Sequence, residues 1–70
     1  MRYIAYLVHE RFGSLRKFAS ICDIPDCTMH HYFSGLRFPN THNFITIARK
    51  LNVTAEFLYE NWYREVKLDD

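Results

Sequence analysis

The side chains best equipped for chemistry fall in one short run, Cys22, Asp26, Cys27, His30 and His31. Two thiols and two imidazoles this close together raise zinc ligation first. Structural zinc sites pair cysteines about two to four residues apart and draw a second pair from a distance. Here Cys22 falls on an apolar stripe, and neighbouring histidines on a helix point about 100° apart. The pattern therefore reads as a buried free cysteine beside surface groups, with no metal and no cofactor expected. The second chemistry is a nucleophile and base, since Cys27 and His31 stand at i, i+4. A chain of 70 residues has little volume for a substrate pocket, so no enzymatic activity is expected.

The elements that carry these residues are read from apolar spacing. Ile4, Leu7, Val8 and Arg11 mark one face of a first helix that Gly13 can end. Ser14 then caps a second helix, in which Leu15, Phe18, Ala19 and Cys22 recur at i, i+3, i+4 and i+7 while Arg16, Lys17 and Ser20 point away. Asp23-Ile24-Pro25 is a turn, because aspartate tolerates left-handed backbone and proline suits the first position of a following helix. In the third helix Met29, Tyr32 and Phe33 lie on the inner side with Ile24. Asp26, Cys27, Thr28, His30, His31 and Ser34 lie on the other.

Gly35 ends the third helix, and Pro39 holds the next few residues out of helical geometry. Thr41 is expected to cap a fourth helix whose apolar face is Phe44, Ile45, Ile47, Ala48 and Leu51. Asn52 ends it and Thr54 caps a fifth. The fold class that follows is all-α, a compact five-helix domain in which helices 2 and 3 form a helix-turn-helix. Residues 1–70 make a single domain, divided into a core over 1–53 and a C-terminal helix and tail over 54–70.

A domain this small buries only about 60% of the surface its unfolded chain exposes, so self-association would supplement its core. Phe57, Leu58, Trp62 and Val66, widened by Tyr59 and Tyr63, exceed what four short helices can cover. A dimer interface is accordingly expected at Phe57, Tyr59, Trp62, Tyr63 and Val66.

The formal charge of +1 conceals an asymmetry. Between residues 11 and 50 the basic groups Arg11, Arg16, Lys17, Arg37, Arg49 and Lys50 face only Asp23 and Asp26. From Leu51 onward, Glu56, Glu60, Glu65, Asp69 and Asp70 outnumber Arg64 and Lys67. A basic middle and an acidic tail place any polyanion at the centre of the chain. The apolar opening YIAYLV is interrupted by His9, Glu10 and Arg11, far short of the roughly 20 residues of a membrane span. A cytoplasmic location with reduced thiols is the expectation.

With these residues in place the chain resembles the lambda-repressor-like, Cro/C1-type helix-turn-helix regulators of phages and bacteria. The resemblance rests on Phe18-Ala19, Ile24, Met29, Tyr32, SGLRFP, IARKLNV and Phe57-Leu58, in the family's order and spacing. Asp23, Leu15 and Phe33 depart from it, standing where the family usually has glycine, glutamine and glutamate.

The resemblance implies a transcriptional regulator that binds operator DNA as a homodimer, with Asp26, Cys27, Thr28 and His31 at base-reading positions. Ser14, Arg16, Lys17, Ser34, Arg37 and Asn40 would contact phosphates. Asp26 has two competing uses, acceptor from a cytosine amino group or partner of the helix dipole. Thr28 suits a thymine methyl or a phosphate, and His31, with His30 as a second candidate, would meet a base edge according to its protonation and make binding depend on pH between about 5 and 8. An alternative on the same fold is a protein-interaction module, such as an anti-repressor or adaptor.

Overall fold

In a computed structural model that describes the backbone of residues 2–68 and the side chains of residues 3–62, local rules set where each helix begins and ends. The helices are α1 (Arg2–Phe12), α2 (Leu15–Cys22), α3 (Asp26–Phe33), α4 (Thr41–Leu51) and α5 (Ala55–Leu68). Among the described residues the architecture is all-α, five helices with no strand.

Three of the helix ends close in the same way. After α2, Asp23 takes a left-handed backbone (φ 59°) and its N–H donates to Ser20 O at 3.1 Å, while Ile24 N donates to Ala19 O at 3.0 Å. After α4, Asn52 (φ 59°) donates to Arg49 O and Val53 to Ala48 O. Gly35 (φ 85°) and Leu36 repeat the pattern onto Tyr32 O and His31 O. Each closure satisfies two carbonyls that the helix leaves open, and after α2 and α4 it turns the apolar residue that follows back toward the core, whereas Leu36 after α3 stays exposed. Ile24 is buried and Val53 half-buried for that reason. Gly13 (φ 90°) ends α1 with a single bond to His9 O.

Helix starts are equally local. Ser14 is extended and accepts from Lys17 N at 3.1 Å, and Thr54 Oγ1 accepts from Phe57 N at 3.0 Å. Two expectations shift by one residue. Asn40, not Thr41, caps α4, its Oδ1 accepting from Asn43 N at 2.8 Å. Pro25 precedes α3 as its cap residue instead of entering its first turn.

The core draws Ile4 and Val8 from α1, Phe18, Ala19 and Cys22 from α2, and Met29 and Tyr32 from α3. Ile47, Ala48 and Leu51 come from α4, and Leu58 and Trp62 from α5. Side chains such as these each contribute about 1.5–3 kcal/mol on leaving water. The α4 face is narrower than its sequence suggests, because Ile45 is exposed. Arg11, aligned in sequence with the apolar face of α1, is exposed and donates from Nη1 to the Leu51 carbonyl at the end of α4. A guanidinium there meets the negative end of the α4 dipole.

Trp62 is the largest departure. Expected at a dimer interface, it is 1% exposed. Its ring meets Tyr32 and Phe33 of α3, Phe38 of the 34–40 connection and Phe44 of α4, with centroids 5.5–6.4 Å apart. It presents no surface to a partner. No helix among the described residues is long and apolar enough to cross a membrane.

Candidate nucleic-acid interface

The outer face of α3 is free because its inner face is fully committed. Met29 and Tyr32 are buried, Phe33 packs its ring 5.8 Å from that of Trp62, and Asn43 Nδ2 donates to Tyr32 Oη at 3.0 Å. These contacts hold α3 from behind. On the far side Asp26, Cys27 and His30 are exposed, and Thr28 and His31 are half-buried.

Asp26 does not stand alone at the start of the helix. His30 Nδ1 lies 3.3 Å from Asp26 Oδ1 and 2.9 Å from the Asp26 carbonyl oxygen. The carboxylate therefore has a side-chain partner one turn along, in addition to the dipole at the N-terminus of α3. An acid and an imidazole at i, i+4 are the sequence signature of this pairing.

The expected phosphate-contacting residues divide by what their polar atoms already do. Arg16, Lys17 and Arg37 are exposed cations. Ser14 and Asn40 spend an acceptor on helix capping, which leaves the Ser14 hydroxyl proton and the Asn40 amide protons available as donors. Ser34 is different, since its hydroxyl donates to His31 O at 3.1 Å. With its proton so engaged it has none to offer a phosphate oxygen.

The same His31 carbonyl accepts from Leu36 N at 3.0 Å and Arg37 N at 3.2 Å. Three donors on one oxygen fix the backbone of Arg37 relative to the end of α3. A base-reading candidate and a phosphate-binding candidate are thus held in one rigid unit.

The cysteines separate. Cys22 is 6% exposed within the core, and burial pushes its thiol up to about 11, with the Lys50 charge acting weakly in the opposite sense. Cys27 is exposed. Among the described residues no three histidine, cysteine, aspartate or glutamate side chains are grouped to hold a metal ion. An open recess of about 310 Å³ lies at the α2–α3 turn, lined by Ala19, Ser20, Asp23, Ile24 and Pro25. Cys27 and His31 are not part of it.

Of the expected interface residues, Phe57 and Tyr59 are exposed and Trp62 is buried, and the side chains of Tyr63 and Val66 lie outside the described residues. Phe57 sits edge-on to Tyr3 of α1, and Tyr59 edge-on to Phe38 and Phe44. Sequence spacing does not anticipate the last group, because Phe38 reaches it from an irregular connection. Comparison with family models, curated proteins and solved structures found no match.

Proposed function

We propose that the protein is a sequence-specific DNA-binding transcriptional regulator in which α2 and α3 act as a helix-turn-helix, as in the Cro/C1-type regulators its sequence resembles. One observation carries this reading. An eight-residue helix packs one side inward through buried Met29 and Tyr32 and half-buried Phe33, and offers on the other a set of hydrogen-bonding side chains, with the exposed cations Arg16, Lys17 and Arg37 on its flanking elements. A helix fits the major groove, where each base pair presents a distinct pattern of donors, acceptors and methyl groups.

In this reading the cations bind phosphates and set the register, while Asp26, Cys27, Thr28 and His31 face base edges. One such helix covers a single half-site. Binding as a homodimer, with the exposed α5 residues Phe57 and Tyr59 at the contact, would place two recognition helices about 34 Å apart in successive grooves.

A protein-binding module is the second reading, favoured by the exposure of Leu36 (70%), Phe38 (53%) and Tyr59 (50%). An amide-shift titration with mixed-sequence duplex DNA at low salt separates the two. Shifts confined to residues 14–17, 26–34 and 37–40 support DNA binding. Shifts confined to the surroundings of Tyr59 and Trp62, or no shifts, support the alternative.

A further inference from the structure

A carboxylate on a surface that meets DNA opposes the phosphates unless something answers it, and at the start of α3 the answering group is in place. His30 Nδ1 is 3.3 Å from Asp26 Oδ1 and 2.9 Å from the Asp26 carbonyl oxygen. The two side chains are 55% and 50% exposed, so the pair lies open to solvent. We propose that His30 is the positioning and charge-compensating residue of the α3 face, its protonation neutralising Asp26 and making DNA binding tighten as pH falls. The inference rests on the DNA-binding reading and specifies how that surface is regulated.

On α3 the other titratable groups are Cys27 and His31. The packed helix α2 and its end supply Arg16, Lys17 and Asp23, and the 34–40 connection supplies Arg37. Among the described residues none of them forms an ion pair with Asp26 or His30. His31, one position along, projects about 100° away around the helix.

The sign follows from the charges. With a neutral imidazole the pair carries −1. With an imidazolium it carries zero, and the ring keeps an N–H directed at Asp26. An imidazole makes this change between about pH 5 and 8. Removing one net negative charge from a surface that meets phosphates lessens repulsion and tightens binding, most strongly at low salt.

The test is fluorescence anisotropy of a labelled mixed-sequence duplex of about 25 base pairs, at fixed ionic strength, with the wild-type chain, His30→Gln, Asp26→Asn and His31→Gln. Glutamine retains a donor without titrating, Asp26 and His30 are exposed and His31 is half-buried, and circular dichroism of each variant checks that its helices are folded. Wild-type affinity is expected to tighten roughly three- to tenfold from about pH 7.5 to about pH 5.5. His30→Gln should lose most of that change and His31→Gln a smaller share of it. Asp26→Asn at the higher pH should bind about as tightly as wild type at the lower.

A wild-type affinity independent of pH, or full pH dependence in His30→Gln, overturns the inference and leaves the DNA-binding reading standing. The same holds if Asp26→Asn is no tighter than wild type at the higher pH. Absence of duplex binding by the wild-type chain at every pH overturns both.

Discussion

Asn43 on α4 donates to the Tyr32 hydroxyl on α3 at 3.0 Å, which ties the helix proposed to read DNA to the helix that follows it. The bond is half-buried, and Tyr32 also sets its ring edge-on to Trp62 at 6.4 Å. Tyr32→Phe keeps the ring and removes the acceptor, so it should cost about 1 kcal/mol in urea denaturation. Asn43→Ala should cost a similar amount. The double variant should cost clearly less than the sum, because both changes break one interaction.

The start of α4 gives a prediction about capping. Asn40 Oδ1 accepts from Asn43 N at 2.8 Å, whereas Thr41 is already helical. Asn40→Ala should therefore destabilise by about 1 kcal/mol and Asn40→Ser by much less, while Thr41→Ala should stay within about 0.5 kcal/mol. Equal losses at the two positions would contradict the cap assignment.

That pair of residues shows where sequence reading stops. Helix ends governed by local chemistry were legible: Ser14 and Thr54 as caps, and Asp23 and Asn52 as left-handed terminators. Asn40 and Thr41 are both good caps, and only the path of the chain after Pro39 chooses between them. The outer face of α3 was legible because Met29 and Tyr32 mark its inner face at i, i+3. The bond from Arg11 to the Leu51 carbonyl joins residues 40 positions apart, and no local pattern announces it. The Phe38, Phe44 and Trp62 cluster was hidden for the same reason.

The two thiols should behave differently. Ellman's reagent should modify exposed Cys27 quickly and buried Cys22 only as the chain unfolds. Because burial raises the Cys22 thiol to about 11, the folded state keeps a proton that the unfolded state releases near about 8.5. Its contribution to stability is complete below that range and is lost as pH rises toward 11. The loss is on the order of 3 kcal/mol at most. It is measured as the alkaline fall in stability of the wild-type chain beyond that of Cys22→Ala.

Arg37 and His31 are joined through the backbone, yet they are proposed to do different work. Arg37→Ala should weaken binding to all duplexes alike and lower the salt slope by about one. His31→Ala should relax discrimination at one base position by about 1–3 kcal/mol once a preferred sequence has been selected. If neither substitution altered binding, α3 would not be the element in the groove.

The final prediction concerns which aromatic residue can report on self-association. Trp62 joins α3, the 34–40 connection, α4 and α5 through four ring contacts. Trp62→Ala should cost about 3–5 kcal/mol. For a chain of this size, total stability is only about 4–10 kcal/mol, so that variant gives up about half of it and unfolds far more readily. Loss of dimer in Trp62→Ala would follow from unfolding alone. Tyr59 and Phe57 are the informative positions, because their exposed side chains can be changed with less damage to the core. If α5 mediates a dimer, Tyr59→Ser and Phe57→Ser should raise the dissociation constant in sedimentation equilibrium by about tenfold or more while their circular dichroism stays helical. Unchanged association in both variants would place the contact on another face, and a monomeric wild-type chain would remove the dimer from the proposal.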